Sequence, residues 1–476
     1  MRPIFHTGNR RFWLVIPLMA SAASVSAQSL SYMNFDVSDD SVSGGVSDPR
    51  ALPMTQVTGV GRASDAGRAG DMLDLDEAAH EAIAWHPAVI EAAGELSARG
   101  EEIAVARAGY SPQISAGVGM SYDTRLTADW RPRPQFQASQ MLFDFGKVRS
   151  AVDAARAGTK IGEGEMLMAI DGLIRDTGYA VIELQRANAL HQVAIDQLAR
   201  VREIAELVGH RVRMGAATRS DGLQVQARVE AAQATLAQID AERGRWSSNL
   251  AYLLGRTGTL PPVSEDVPGW LMSACRQGPP DWDMVPAVMV AQAQKERAEA
   301  DLRRSKADQL PTVSIGGNGT VDVASPFAER RSAYTLGISV SSSIFGGGIT
   351  KAKVRGANYA LAAAEAATDR ARNDTAQRLS EAQQQIDSLN SLTSTLSSRQ
   401  GNMNETGKLY RLQYIEMGTR TLVDVLNAEQ EFQQVRFEAA NTKHDLRRLQ
   451  MDCLYNSGRT RSAFRLTGTT VRGVTL

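Results

Sequence analysis

Two short stretches of the sequence carry an acidic residue at the same place in the same pattern. The first is "MGAATRSDGLQVQARV", residues 214–229, which contains Asp221, and the second is "MGTRTLVDVLNAEQEF", residues 417–432, which contains Asp424. In each stretch one helical pattern ends at a glycine and another begins shortly after it, which predicts a turn between two helices. A carboxylate at such a turn can cap a helix, form an ion pair or attract cations.

The glycines of the two turns, Gly215 and Gly418, are expected to adopt left-handed backbone angles, which cost glycine little. The predicted caps of the helices that follow are Ser220 or Asp221 in the first turn and Thr419 or Thr421 in the second. Under this assignment Asp424 lies too far along its helix to act as a cap. A separate role is therefore expected for its carboxylate.

Asp424 and Asn427 are three positions apart, which places them on one face of a helix, one above the other. In a three-fold assembly each position becomes a ring, and a ring of carboxylates in a narrow opening concentrates cations and repels anions. The alternative is that Asp424 lies on a solvated helix face. Val423, Val425 and Leu426 occupy the other faces and are expected to pack.

The remaining reactive side chains form no catalytic or metal-binding pattern. The histidines lack the HExxH spacing, Cys275 and Cys453 are too isolated for a zinc ribbon, and "FGGGITK" (345–351) lacks the spacing of a phosphate-binding loop. Basic and acidic residues balance at 52 and 53, which does not favour nucleic acid as a partner. The sequence therefore predicts no enzyme activity, no metal and no cofactor.

The N-terminus reads as a targeting segment. Arg10 and Arg11 precede a short apolar run and a small-residue cleavage site, so residues 1–27 are expected to be a signal peptide cleaved after Ala27. No cysteine follows the cleavage site, which argues against a lipid anchor. No later stretch of 18 apolar residues exists, so no transmembrane helix is expected in the mature chain.

The two cysteines suit an oxidising compartment. Cys275 lies in a Pro- and Gly-rich break between the halves of the chain, and Cys453 lies near the end of the last long helical pattern. Both positions are expected near the middle of the helical region. A disulfide between them and a pair of buried free thiols are the two alternatives.

The chain reads as two copies of one plan. "YSPQISAGVGMSYD" (110–123) resembles "LPTVSIGGNGTVDV" (310–323), and "QMLFDFGKVRSAV" (140–152) resembles "SSIFGGGITKAKV" (342–354). Corresponding residues of these stretches, and of the two turns, are all separated by about 200 positions. Several matches in order at nearly one separation indicate a tandem duplication.

Each half is predicted to contain a helix, a β-hairpin, a very long helix, a turn and a return helix. The segments of the first repeat, 71–256, are the hairpin 111–146, the long helix 147–211, the tip turn 212–219 and the return helix 220–256. Those of the second repeat, 284–456, are the helix 284–309, the hairpin 311–346, the long helix 349–414, the tip turn 415–420 and the return helix 421–456. The flanking segments are a flexible N-terminal part 28–70, an equatorial linker 257–283 and an uninformative tail 457–476.

The predicted hairpins alternate between apolar and small polar residues. The apolar positions are Ile114, Ala116, Val118, Met120 and Tyr122 in the first hairpin, and Tyr334, Leu336, Ile338, Val340 and Ile344 in the second. Strict alternation predicts strands with one apolar face. Such strands fit a membrane barrel with lipid outside and water inside, and a soluble sandwich is the alternative.

The lengths of the predicted helices exclude an ordinary compact domain. Residues 147–211 contain no proline, and at about 1.5 Å per residue they span roughly 97 Å. The helices 220–256 and 284–309, stacked end to end, would nearly match that length.

Four strands per chain cannot close a membrane barrel alone, whereas three chains would supply twelve.

From about Asp71 to Asn456 the chain resembles the outer-membrane efflux protein (TolC) family, most specifically in "MGTRTLVDVLNA" (417–428). The resemblance implies an α+β membrane protein. It would be a trimeric channel-tunnel with a twelve-stranded outer-membrane β-barrel, four strands per chain, and a long periplasmic α-helical barrel. The family has Asp where this chain has Asn427, so the two rings would carry three formal charges per trimer instead of six, and weaker cation selectivity is expected.

The resemblance also implies partners and roles. The partners are a periplasmic adaptor protein, an inner-membrane ABC or proton-driven transporter and outer-membrane lipid, with Gly215 and Gly418 at the turns that contact the adaptor. Arg420 matches the family arginine that ties neighbouring tips in the closed state, with Ser220 and Asp221 as its partners.

The missing anchor cysteine favours the type I secretion branch. Small-molecule efflux remains open, and a non-conducting periplasmic coiled-coil tether is the alternative from another class.

Overall fold

The computed structural model describes residues 72–122, 130–321, 332–343 and 346–476. The predicted signal peptide and N-terminal segment lie outside the described residues, as do Ile344 and Phe345 of the second hairpin. The helices are α1 (Leu75–Trp85), α2 (Pro87–Arg107), α3 (Lys147–Arg213), α4 (Arg219–Leu254), α5 (Gly269–Met272), α6 (Pro286–Ala307), α7 (Ile349–Leu412), α8 (Leu422–Ser457) and α9 (Thr460–Ala463). The strands are β1 (Gln113–Tyr122), β2 (Trp130–Phe143), β3 (Thr312–Val321), β4 (Ser332–Ser341), β5 (Thr470–Val471) and β6 (Val474–Thr475).

The junction between β2 and α3 shows how the chain changes from strand to helix. Asp144 is buried, and its carboxylate accepts hydrogen bonds from the amides of Gly146 at 2.9 Å and Val148 at 2.6 Å. Gly146 adopts a left-handed conformation with φ of 93° directly before the helix. The acidic cap satisfies amides that the first turn of a helix leaves unpaired, so α3 begins at a defined residue.

Helix α3 is the central helix of the protomer. It has 67 residues, about 100 Å at 1.5 Å each. Helices α2 and α6 pack along its first half, and α4 packs along its second half, so α4 and α6 share the length of α3 between them. Helix α8 packs beside α3, and α7 packs on α8. Within the described ranges, no helix is both long enough and apolar enough to cross a membrane.

Small residues let the helices approach closely. A Cβ atom added to Gly164 would lie 2.7 Å from a methyl group of Val290 on α6, and one added to Gly178 would lie 2.7 Å from the terminal methyl of Met451 on α8. Both distances are shorter than side-chain contacts allow. The stiff Val290 side chain and its backbone leave no room at Gly164, so this glycine allows the close approach of α6, whereas the flexible end of Met451 could move away at Gly178.

The first four strands form one antiparallel sheet in the order β1-β2-β3-β4. Gln113 lies opposite Ser139, Gln137 opposite Asn318 and Thr312 opposite Ser341. The sheet exposes a row of large apolar side chains, with exposed fractions of 56% or more: Ile114, Val118, Met120, Trp130, Phe136, Tyr334, Leu336, Ile338 and Val340. Each outer strand, β1 and β4, has one edge without a strand partner in the described part of the protomer.

The predicted linker 257–283 packs against the helices. Val263 pairs with Leu73 in a short parallel bridge. Leu271 of α5 is buried in the main core, by which we mean the apolar cluster around residues 166–184 of α3 and the helices packed on them. The structure joins Cys275 and Cys453 in a disulfide, with the Cα atoms 5.2 Å apart. The linker is therefore covalently attached to α8.

The segment after Gly458, for which the sequence made no structural prediction, is folded. It contains α9 and the β5–β6 hairpin, and Phe464 and Leu466 enter the main core. Arg461 is 1% exposed and its guanidinium donates a hydrogen bond to the carboxylate of Asp171 on α3 at 2.8 Å and another to the carbonyl of Met284 at 2.7 Å. A buried ion pair leaves no periodic signal in a sequence, so the sequence alone did not indicate this packing.

We expect Arg461→Met to destabilise the fold by about 3–5 kcal/mol, because it leaves the carboxylate of Asp171 buried without its partner. Burial raises the pKa of Asp171 to about 7, while Arg461 opposes that rise. A carboxyl whose folded pKa lies above its unfolded value costs stability as the pH rises between the two values. Without Arg461 the pKa of Asp171 in the folded state rises further. The loss of stability of the Arg461→Met variant relative to the wild type should therefore be larger at pH ~8.5 than at pH ~6.

The measurement is the thermal unfolding midpoint of the detergent-solubilised protein and its variant at both pH values. The double replacement Asp171→Leu with Arg461→Met removes both charges and should recover most of the loss. A loss of thermal stability in Arg461→Met that is equal at the two pH values would contradict the role of Arg461 as the partner of the Asp171 carboxylate.

Candidate functional site at the helix tips

The two predicted turns meet at one end of the long helices. We define the first tip as residues 211–221 and the second tip as residues 410–424. A buried apolar cluster joins them, and its members are Ile204, Val208, Val225, Tyr414, Leu422, Val425 and Leu426. Because the cluster draws on both repeats, the position of each tip depends on the other.

The first tip is a short, regular turn. Helix α3 ends at Arg213, and Gly215 follows in a left-handed conformation with φ of 70°. The amide of Ala216 donates to the carbonyl of Arg211 at 2.8 Å, and that of Gly215 donates to the carbonyl of Val212 at 3.1 Å. This pair of bonds closes the helix end around a glycine, as in a Schellman motif.

The second tip is built differently. Helix α7 passes into a five-residue π-turn, Gln413–Met417, before Gly418 takes a left-handed conformation with φ of 61°. The amide of Thr419 then donates to the carbonyl of Gln413 at 3.2 Å. The turn therefore begins at Gln413, two residues before the predicted start at residue 415. Such π-turns are rare and are frequent at functional sites.

Both return helices begin with a reciprocal capping box. In the first, the Thr218 hydroxyl accepts from the Asp221 amide at 3.1 Å and the Asp221 carboxylate accepts from the Thr218 amide at 2.8 Å. In the second, the Thr421 hydroxyl accepts from the Asp424 amide at 3.2 Å and the Asp424 carboxylate accepts from the Thr421 amide at 3.1 Å. Each acidic residue is thus the third residue of its helix and half of its cap.

This geometry corrects two sequence predictions. The cap of α4 is Thr218, and neither Ser220 nor Asp221 occupies the capping position. The expectation that Asp424 lies too far along to cap was wrong, because the cap itself is Thr421 and Asp424 closes the box three residues later. The signal was present as Thr-x-x-Asp in both stretches. In the first stretch it was missed because the cap was placed on Ser220 or Asp221. In the second stretch Thr421 was one of the two predicted caps, but its pairing with Asp424 was not recognised.

The capping bonds also fix the charge of the two carboxylates. Hydrogen bonds from the Thr218 amide and hydroxyl lower the pKa of Asp221, and those from the Thr421 amide and hydroxyl lower the pKa of Asp424. The positive charge of Arg420 adds to the effect at Asp424. Both carboxylates are therefore ionised at neutral pH while serving as caps.

Asn427 is exposed one turn beyond Asp424, which is itself partly exposed. Val425 and Leu426 pack in the tip cluster, whereas Val423 is 45% exposed and does not pack in the described protomer. The two polar positions thus lie outside the apolar cluster that holds the tips. Their arrangement in a ring stays a prediction, because a ring needs further copies of the chain.

Arg420 makes its contacts within its own tip. Its Nε donates to Oε1 of Gln413 at 3.1 Å, and its guanidinium carbon lies 4.2 Å from the centroid of the Tyr410 ring. Within the described protomer its side chain is paired with neither Ser220 nor Asp221. The hydroxyl of Ser220 lies 2.7 Å from that of Thr218. The latch between neighbouring tips therefore remains a prediction, and the Tyr410 and Gln413 contacts were not foreseen.

Arginines of α3 and the second repeat also tie the two repeats together. The guanidinium of Arg211 lies 4.8 Å from the Tyr414 ring centroid and donates to the Tyr414 carbonyl at 3.4 Å. Arg411 forms an ion pair with Glu203 on the exposed side of the same region. Partners some 200 residues apart carry no local sequence signal, so sequence reasoning did not find them.

The sheet with its exposed apolar face, the long paired helices and the two tips of a duplicated chain define the class of outer-membrane channel-tunnels. The family model of the outer membrane efflux protein matches residues 78–256 and 285–450, well over half of the chain. The chain therefore belongs to the outer membrane efflux protein family. Members of this family are export channels of the outer membrane that extend into the periplasm, and we assign the chain to this class.

Individual relatives agree with this assignment. Protein CyaE of Bordetella pertussis is 25% identical over 323 residues, which cover 63% of this chain and 66% of CyaE. Outer membrane efflux protein BepC of Brucella suis is 22% identical over 359 residues, which cover 73% of this chain and 76% of BepC. The crystal structure of the outer membrane protein VceC from Vibrio cholerae superposes with a TM-score of 0.70 at 18% identity, covering 81% of this chain and 96% of VceC.

We expect Thr421→Ala to loosen the start of α8, because it removes one member of the capping box at a cost of about 1 kcal/mol. The pKa of Asp424 should rise only part of the way toward its usual value, since alanine removes the hydrogen bond from the Thr421 hydroxyl and keeps the one from the backbone amide. Amide hydrogen exchange of the first turn of α8 reports the loosening. Thr421→Ser keeps the hydroxyl and serves as the matched control; equal protection in the alanine variant and the wild type would refute the capping box.

Proposed function

We propose that three copies of this chain form an export duct, with the four-stranded sheets closed into one barrel and the tips gathered into an adjustable opening. The observation that carries the proposal is the sheet itself. One of its faces is apolar and exposed, and both outer strands have a free edge in the described protomer. Exposed strand edges are a liability that closure between copies removes, and in lipid no edge can stay unpaired.

We propose that the duct works with a periplasmic adaptor and an inner-membrane transporter that meet it at the tips. The exposed positions of Gly215 and Gly418 support this, because each glycine stands at the outermost bend of its tip. The turn backbone there is accessible to another protein. The transporter partner in this proposal is an ABC or a proton-driven transporter.

Protein cargo, as in type I secretion, is the proposed substrate class, with small-molecule efflux as the second candidate. The name of BepC, an outer membrane efflux protein, supports the second. The test is a strain that lacks this chain: loss of one secreted protein with unchanged dye resistance favours secretion, and the reverse result favours efflux.

The duct itself is tested with the purified protein in planar bilayers. A conducting trimer is the expected result, and a monomer without ion conductance would refute the proposed assembly.

The proposed latch predicts that Arg420→Ala raises the single-channel conductance. The arginine would bind Ser220 and Asp221 of the neighbouring tip, and although each exposed bond contributes only about 1 kcal/mol or less, three-fold symmetry repeats it. Arg219→Ala is the matched control, because Arg219 is an exposed arginine at the start of α4 and should leave the conductance unchanged. Equal conductance of the Arg420→Ala variant and the wild type would exclude the latch.

The proposed ring predicts that Asp424→Ala and Asp424→Asn both abolish block by a trivalent cation added from the periplasmic side, since each removes three charges from a trimer. The asparagine variant retains a side-chain oxygen for the Thr421 amide and separates loss of charge from loss of the cap. Asn427→Asp should strengthen the block. Block that persists in both Asp424 variants would place the filter elsewhere.

A further inference from the structure

A cleft of about 630 Å³ lies where the linker 257–283 meets α7 and α8. We call it the linker cleft, and its volume is within the range of small-molecule binding sites. Part of its wall is apolar, with Val267 and Met272 from the linker, Ile386 from α7 and Leu446 from α8. It shares no residue with the two tips, so neither the proposed latch nor the proposed ring uses it.

Covalent and hydrogen bonds connect the three walls of the linker cleft. The Cys275–Cys453 disulfide joins the linker to α8, and the side-chain amide of Gln383 on α7 donates to the Cys275 carbonyl at 3.0 Å. Both α7 and α8 are therefore attached to the linker at Cys275. A site that is formed before its ligand arrives loses less conformational entropy on binding.

Arg447 is a buried cation in the wall of this cleft, and no carboxylate pairs with it. It is 6% exposed, and its guanidinium donates to Oε1 of Gln185 at 2.7 Å and to the backbone carbonyl of Glu265 at 3.5 Å. Both acceptors are neutral, and Arg447 forms no ion pair with any of the described residues. Burial of a cation is costly unless a negative charge offsets the lost hydration. By contrast, Arg461 is also buried and is paired with Asp171.

The charges in the wall of the linker cleft do not balance. Arg276, Lys443 and Arg447 contribute three positive charges, and Asp387 contributes one negative charge. The side chains of Arg276, Lys443 and Asp387 are exposed, and within the described ranges none of them forms an ion pair. The cleft should therefore attract anions.

The same excess of positive charge acts on neighbouring groups of α8. Burial lowers the pKa of Arg447, and the Glu265 carboxylate opposes this effect without forming an ion pair. Burial is also the largest cause that lowers the pKa of His444 to about 4, and positive charges add to it, those of Arg447, Arg186 and Lys443. A positive potential therefore remains at this part of α8.

We propose that the linker cleft binds a small organic carboxylate that carries an apolar group. The carboxylate accepts hydrogen bonds from the Arg447 guanidinium, and the exposed cations Lys443 and Arg276 add attraction. The apolar group packs against Ile386 and Leu446. This site is distinct from the proposed duct opening, so the duct does not depend on it.

The charges and the apolar wall together select this class of ligand. The planar fork of donors on arginine matches either a carboxylate or a phosphate. A phosphate group carries about 1.5 to 2 negative charges at pH 7, whereas a carboxylate carries one. Asp387 in the same wall repels additional negative charge, and the apolar side chains favour a ligand with a hydrocarbon group.

The test is a ligand-observed NMR titration of the full protein in lipid nanodiscs with N-acetyl-leucine, which places a carboxylate beside a branched apolar side chain. N-acetyl-leucinamide is the matched neutral compound, and inorganic phosphate carries charge without an apolar group. We expect saturable binding of N-acetyl-leucine. Each of the other two compounds should bind about tenfold more weakly, because each lacks either the charge-assisted hydrogen bonds or the apolar contact.

Variants of the exposed cations test the location of the site without disturbing the core. Lys443→Gln and Arg276→Gln should each weaken binding of N-acetyl-leucine by a few-fold, and the double variant should weaken it by about tenfold. Arg447→Lys keeps the charge but removes the planar fork, and should also weaken binding about tenfold. Arg219→Gln is the matched control, because this exposed arginine lies at the start of α4 and outside the cleft. The thermal unfolding midpoint verifies that each variant is folded.

Three results would overturn the proposal. The first is a lack of saturable binding, or equal binding of N-acetyl-leucinamide. The second is an equal affinity for inorganic phosphate, which would exclude a carboxylate as the preferred ligand. The third is unchanged binding in the folded double variant of Lys443 and Arg276, which would place the bound compound outside the linker cleft. If Arg447→Lys does not fold, this double variant still decides the location.

Discussion

The structure depends on one constraint: a helix about 100 Å long cannot bury its own apolar side. Helix α3 carries buried residues from Ser150 to Val208, so it needs partners along its whole length. Duplication of the chain supplies them, because α4 and α6 cover different parts of one side and α8 of the second repeat covers another. Close approach at Gly164 then allows α6 to lie near α3.

The ends of the helices follow from the same constraint. The strands enter one end of α3 at a junction capped by Asp144, and the chain reverses at the other end. At the reversal each new helix begins with its own capping box, and the acidic member of that box is Asp221 or Asp424. A carboxylate that caps a helix is held ionised at a known position. Structural and electrostatic roles therefore reside in the same residue, rather than excluding one another.

The middle of the protomer is held by a covalent link and a buried ion pair. The Cys275–Cys453 disulfide attaches the linker to α8, and the buried pair of Arg461 and Asp171 attaches the C-terminal segment to α3. At the tips, by contrast, the described polar contacts of Arg420 are exposed and reversible. A rigid middle and a weakly bonded end are what a channel with a movable opening requires.

The sequence by itself determined the duplication, the four strands, the long helices and the two turns, because each leaves a local pattern of period, glycine or proline. It also contained the Thr-x-x-Asp boxes, although the cap of the first was misplaced and the second was recognised only as far as Thr421, one of its two predicted caps. Only the tertiary structure decided that the C-terminal segment is part of the core, that Tyr410 and Gln413 hold Arg420, and that Arg461 meets Asp171. These depend on contacts between distant residues or on the shape of one π-turn, and neither has a periodicity that a sequence can display.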